Sequence, residues 1–307
     1  MLRIGCGAGF AGDRLDAALA LAEDGALDCL VLECLAERTI ALAQLRRRKD
    51  PHSGFDLRLE RRVEQLLPVL KRRGVRLVSN MGAANPVAAA DAIARIARRL
   101  GLAIKVAVVT GDDVLDALDL EQPVMEGGAP LSRYGPLISA NAYLGSAEVL
   151  PALATGADVV ITGRVADPSL FVAPIADHYG WALDDYERLA RGTCVGHLLE
   201  CAGQVCGGYF ADPGRKDVPN VAWLGFPFAD IDADGNATIG KVTGTGGRID
   251  LATVKEQLLY EVTDPYGYLT PDVVADFSTV TLREIGRDRV AVAGVAMRNS
   301  QSHAEAL

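Results

Sequence analysis

Carboxylates, amides and one guanidinium recur in this 307-residue chain directly after short apolar runs. Glu33 and Glu37 follow CLVL, Asn80 and Asn85 follow VRLVS, Asp112 and Asp113 follow IKVAVVT, and Arg164 and Asp167 follow DVVIT. Such groups suit general acid/base work, a hard cation or an oxygen-rich substrate. Asp112 or Glu33 is the candidate base, and Arg164 with the amides of Asn80 and Asn85 is the candidate stabiliser of a developing negative charge. Asp167 joins them as a catalytic candidate, and Glu37 and Asp113 join the amides as substrate contacts. Each also has a plainer role: Asp112 or Asp113 as a helix cap, Glu37 with Arg38 as a surface pair, Arg164 with Asp167 as a loop tie.

A second signal is Gly7-Ala8-Gly9-Phe10-Ala11-Gly12, which leaves an apolar run and opens a helical pattern, with Glu33 21 residues after the last glycine. A dinucleotide site needs this arrangement, with glycines for close approach of backbone N–H groups to a pyrophosphate and an acid for a ribose hydroxyl. Gly7, Gly9 and Gly12 are therefore cofactor-binding candidates. Against this, Asp13 sits where a phosphate would go, and a tight strand-to-helix turn needs the same small residues. Cys194 and His197 share a helical face, but a core thiol beside a packed histidine is the preferred reading over a nucleophilic dyad. His178, near Tyr179 and Trp181, also reads as packing. The runs Cys206–Tyr209 and Thr243–Gly247 are anion nests or simply turns. No metal-ligand spacing is present.

The elements that must position these residues alternate, as in an α/β fold with a Rossmann-like, mostly parallel sheet and flanking helices. Strands are expected at 2–6, 29–33, 75–79, 104–110 and 158–162, and helices at 13–23, 39–48, 56–73, 87–100, 146–155 and 182–205. Pro86 suits a first helical turn with Asn85 as its cap. Residues 121–136 read as a loop over the site and 164–168 as the exit of the fifth strand. All the polar strand exits then share one rim, where ligands of doubly wound sheets bind. From 209 the texture changes, so the expected organisation is an α/β domain over 1–208 and a smaller α+β region over 209–307. That region holds two strands joined through DADGN, a helix at 251–261 and strands at 274–283 and 290–296. The polar end RNSQSHAEAL gives no closing element.

Half the residues are hydrophobic and 23% are charged, which excludes disorder as the main state. The net charge of -9 argues against a nucleic-acid partner. The basic clusters at 46–49, 61–62 and 71–73 read as solvated helix faces, with reception of an anionic substrate as the alternative. No apolar run reaches the roughly 18–20 residues of a membrane span, and no signal core opens the chain. A cytoplasmic chain without membrane association is expected, and a homo-oligomer on general grounds. Six cysteines without C-x-x-C point away from disulfides and structural zinc.

Together, GCGAGFAGDR, ECLAERTIALAQ, NMGAANP, TGDDV, SANAYLGS and ADVVITGRVADPSL resemble the acyclic terpene utilisation A (AtuA) family over about residues 3–295. CGGYFADPG, WLGFPFADIDADGNATIGK and TGTGGRID are similar to its second half. The resemblance implies bacterial catabolism of acyclic terpenes such as citronellol and geraniol, whose intermediates are CoA thioesters. It implies carbon–carbon lyase or hydratase chemistry on a branched 3-hydroxy-glutaryl-type CoA thioester, with the CoA moiety belonging to the substrate. A nicotinamide-dependent oxidoreductase with bound NAD(P) and a non-catalytic pathway subunit are the alternatives. After Gly294 the sequence VAMRNSQSHAEAL departs from the family pattern, so a chain shorter than its relatives is expected.

Overall fold

The computed structural model describes residues 1–125 and 127–298; the polar end from residue 299 lies outside the described residues. In chain order the elements are β1 (Leu2–Ala8), α1 (Leu15–Asp24), β2 (Cys29–Leu32), α2 (Glu37–Lys49), α3 (Leu59–Arg73), β3 (Arg76–Ser79), α4 (Pro86–Arg99), β4 (Val106–Val109), α5 (Ser146–Ala154) and β5 (Val159–Thr162). They continue with α6 (Ser169–Tyr179), α7 (Tyr186–Leu199), β6 (Pro227–Ile231), β7 (Ala237–Lys241), α8 (Leu251–Leu259), β8 (Tyr268–Leu269), β9 (Val274–Asp276), β10 (Thr281–Gly286), β11 (Arg289–Ala293) and β12 (Ala296–Met297).

Among the described residues nine strands form one sheet in the order β10-β11-β7-β6-β1-β2-β3-β5-β4. Strands β1, β2, β3, β5 and β4 run parallel. The pairing of β6 with β1 is antiparallel, as are those that follow through β7, β11 and β10, so strands beyond residue 209 continue the same sheet. Among the described residues, β12, β9 and β8 form a separate small sheet, which packs on α7. Strands β2 and β5 are buried along their whole length, and their runs CLVL and VVIT are the unbroken apolar sequence that a strand covered on both faces requires.

The helices divide between the two faces. Gly5 and Gly7 of β1 turn toward Leu21 and Ala18 of α1, whereas Cys6 turns the other way, its thiol 3.8 Å from the Glu200 carbonyl just past α7. On the first face α3 packs against both α1 and α4; on the second, α6 packs against both α5 and α7. The connection leaving β3 therefore crosses on one face and the connection leaving β5 on the other. Where neighbouring strands diverge like this, a crevice opens beyond their carboxyl ends.

Several elements differ from the sequence reading for identifiable reasons. Helix α6 was not expected, because SLFVAPIADHY has apolar residues all round and Pro174 inside; it is buried on nearly every side. Helix α7 begins only at Tyr186, where the Asp185 side chain caps Arg188 N. The strand expected over 274–283 breaks at Asp276, whose carboxylate captures Ser278 N and starts a 3-10 turn that carries the chain to the other sheet. The expected strand at 290–296 divides at Gly294, which has φ +79°.

Candidate active site

The β3–β5 crevice is built by the loops after β3 (residues 80–85) and β5 (163–168), with the β4 exit beside them. Arg164 is 3% exposed. Its guanidinium donates to the Leu35 carbonyl and to the Asp167 carboxylate, and its Cζ lies 4.3 Å over the Tyr143 ring. Among the described residues its Nε has no partner.

Asp112 fixes the backbone at that arginine. One of its oxygens accepts from Arg164 N at 2.8 Å and from Asn141 Nδ2 at 2.9 Å, and Gln44 in turn donates to Asn141. The neighbouring Gly163 is needed for this contact, since a Cβ there would stand 2.5 Å from both Asp112 carboxylate oxygens. Burial raises the Asp112 carboxyl against the pull of these hydrogen bonds.

Glu33 and Asn80 form a second clamp between the exits of β2 and β3. Glu33 Oε1 accepts from Leu35 N and Asn80 Nδ2, while Asn80 Oδ1 accepts from Cys34 N. Burial, reinforced by the charge of Asp167, pushes the Glu33 carboxyl well above its ordinary range.

Among the crevice carboxylates, Asp167 lines a cavity and is partly exposed. Burial pushes its carboxyl up to about 6, while Arg164 opposes the rise. It lines a cavity of about 520 Å³ whose walls are Ala142 and Tyr143, the Ala166–Pro168 loop and the Tyr268–Pro271 turn of the small sheet. Tyr143 donates to Glu37, which lowers the Glu37 carboxyl; burial and this bond raise the Tyr143 phenol to about 12. The far wall is anchored by Asp272, which accepts from Ser146 N and Oγ at 2.7 Å each and from Ser169 Oγ at 2.5 Å. One carboxylate thus ties the small sheet to the starts of α5 and α6.

Behind Tyr268 lie His197 and Glu200. His197 Nε2 is 3.3 Å from the Leu258 carbonyl, which only accepts, so this nitrogen carries the proton. Burial lowers the His197 pKa to about 4, leaving the ring neutral and Nδ1 an acceptor. Glu200 Oε1, 2.9 Å from Nδ1, must then be the donor, so Glu200 is a protonated acid. Its burial pushes the carboxyl in the same direction, and its other oxygen has no partner among the described residues. His197 makes no hydrogen bond to Cys194, whose thiol burial raises to about 12. His178 sits edge-on to Tyr179, which stacks on Trp181.

The glycine run adopts a different arrangement from a phosphate cradle. Gly7 lies within β1, packed on Leu32 and Ala18, and Gly9 passes so close to α7's trailing turn that a Cβ would be 2.4 Å from the Cys201 carbonyl carbon. Gly9 N donates to Asp13 Oδ2 at 2.7 Å, so the chain's own carboxylate takes the amide. Gly12 turns against the Phe10 ring. Asn85 is likewise spent on the fold, capping Ala88 N and donating to the Pro51 and Ser53 carbonyls. Asp113 is exposed and paired with Arg47. Of the basic clusters, Arg62 is buried and donates to the Ala11 and Asp13 carbonyls, while Arg72 and Arg73 pair with Glu23.

The crevice thus gathers Glu33, Glu37, Asn80, Asp112, Arg164 and Asp167, and leaves Asn85, Asp113 and the glycines in supporting positions. Tyr143, Glu200, Tyr268 and Asp272 were not singled out from sequence. Tyr143 had one signal, its place in SANAYLGS; Glu200 had its spacing three residues after His197. No group of three or more His, Cys, Asp or Glu among the described residues is arranged to hold a metal ion. No helix of the described residues is long and apolar enough to cross a membrane.

The chain matches the model of a protein family described as "Acyclic terpene utilisation family protein AtuA" over residues 2–305. No curated protein and no solved structure matches it. The chain belongs to the AtuA family.

Proposed function

We propose that this AtuA-family member is a cytoplasmic catabolic enzyme that cleaves a branched 3-hydroxy-glutaryl-type CoA thioester derived from an acyclic terpene. The observation that carries this reading is the placement of Asp167: a carboxyl at the edge of a cavity, raised by burial, beside a buried guanidinium with an unused N–H. Asp167 replaces Asp112 and Glu33 as the base, because both of those are engaged by backbone amides and neither lines the cavity.

In a retro-aldol step Asp167 takes the proton of the tertiary hydroxyl. The hydroxyl oxygen becomes a carbonyl as the adjacent carbon–carbon bond breaks, and the bonding pair moves into an enolate. Arg164, buried behind Asp167 and outside the cavity lining, offsets the charge of that enolate through its field rather than by contact, and the proton held by Asp167 returns to its α-carbon. A hydratase would use the same carboxyl to move a proton during addition or loss of water. Tyr143, Tyr268 and the Pro168 and Pro271 rings supply apolar walls for a branched chain.

The test is incubation of the purified protein with a 3-hydroxy-glutaryl-type CoA thioester bearing an isoprenoid branch, with products identified by mass spectrometry. A pair of fragments supports the lyase, a change of one water the hydratase. An unchanged thioester, with no shift of melting temperature on adding it, would contradict both.

A further inference from the structure

On the side of β1 away from β2, residues of β6, β7 and β11 line a cleft of about 770 Å³ together with Arg3 of β1 and Asp24 of α1. In a chain of net charge -9, four cations converge there: Arg3, Lys241, Arg287 and Arg289. Arg3 and Arg289 stand over the Phe228 ring, 4.2 and 5.5 Å from its centroid, and both bond the single carboxylate of Asp230, at 2.5 and 2.6 Å. Lys241 is buried, bonded to the Thr245 carbonyl and 3.3 Å from Asp288. Arg287 is 96% exposed on its side chain, with Asp288 3.9 Å away. Asp24, exposed at the end of α1, is the remaining acid of the cleft.

Four cations therefore face three carboxylates, and the surplus falls on the β10–β11 hairpin. Arg289 makes no side-chain hydrogen bond among the described residues except to Asp230, which leaves most of its fork free. The Thr243–Gly247 loop forms one wall but is not a nest. The N–H groups of Thr245, Gly246 and Gly247 already donate to the Val242, Trp223 and Pro219 carbonyls.

We propose that this cleft binds the phosphate groups of a phosphorylated small molecule, with Arg287 and Arg289 as the donors. Planar guanidiniums with free N–H groups match phosphate oxygens, and the volume admits a diphosphate with its attached sugar. The proposal does not rest on the assignment of Asp167 and shares no residue with that site. A CoA ester and a free nucleotide carry the same diphosphate chemistry, so the experiment separates them.

The test is calorimetric titration of the full chain at low salt with inorganic pyrophosphate, ADP, dephospho-CoA and CoA. Saturable binding of at least one is expected, with affinity falling as salt rises and by about tenfold in Arg289→Gln, the scale of one charge-assisted pair. Arg287→Gln, at an exposed position that does not endanger folding, weakens the same ligand by a smaller factor. Preference for CoA over dephospho-CoA and ADP identifies a CoA compound as the source; equal binding of ADP identifies a nucleotide. Absence of binding by all four, or affinity unchanged in both variants, would overturn the proposal.

Discussion

The exit of β1 and the exit of β5 stand on the same rim and invite opposite conclusions from their sequences. The β1 exit has a glycine spacing associated with cofactor phosphates; the β5 exit, GRVAD, has no named motif. In the fold the β1 exit is self-contained, with Gly9 N bonded to Asp13 and Gly9 pressed on Cys201. The β5 exit keeps unspent capacity: an Arg164 nitrogen without a partner and a carboxyl at the edge of a cavity. Glycine spacing reports how tightly a backbone turns. Chemistry requires polar groups that the fold has left unsatisfied beside open space.

The largest effect that separates the two exits is catalytic. Asp167→Asn lowers turnover of the CoA thioester by about 100-fold or more, the usual scale for a lost general base, with the melting temperature little changed. Asp13→Asn, which keeps an acceptor for Gly9 N, leaves turnover near that of the unaltered protein. Comparable losses in both variants would erase the distinction.

The next effect is on stability and belongs to β1. Gly9→Ala forces a methyl group against the Cys201 backbone and costs about 2–3 kcal/mol in urea denaturation. An unchanged denaturation midpoint would mean that the approach is loose and the glycine is kept for something else.

Behind the cavity, Glu200→Ala leaves His197 Nδ1 buried without a donor and costs about 1–3 kcal/mol, whereas Glu200→Gln supplies an N–H in place of the acid proton and costs less than about 1 kcal/mol. Equal losses in the two variants would contradict the protonated state of Glu200.

The smallest effect is a shift of pH dependence. If Asp167 must be ionised to act as base, kcat rises with pH through about 6. Arg164 favours the ionised form, so Arg164→Met moves this limb upward. The sign for stability is opposite: a carboxyl raised in the folded state contributes stability below its ordinary range, and this is lost as pH rises through about 6. Asp167→Asn flattens that slope in denaturation measured from pH 4 to 7.

Much of the fold was legible because it rests on local pattern. The apolar runs of β2 and β5, Pro86 with its Asn85 cap and the DADGN turn each determine their own geometry. The rim itself was legible too, since polar strand exits in a parallel sheet must share an edge. What was not legible depends on partners distant in sequence. Asp272 reaches Ser146 and Ser169 across more than 100 residues, and Asp112 became a clamp only because Asn141 and Arg164 N arrive from other loops. The same distance hid α6, whose apolar surround makes sense only once it is buried between neighbouring helices.

The central claim is that the chemistry belongs to Asp167 in the β5 exit, and its most direct test needs no substrate. Carbon-detected NMR of protein labelled at aspartate side-chain carboxyls, with the Asp167 signal assigned by its loss in Asp167→Asn, follows this carboxyl through a pH titration. The expected midpoint is about 6. A midpoint near the ordinary aspartate value of about 3.9 would contradict it, because a carboxylate fully ionised well below neutrality is a loop tie for Arg164 and a poor base.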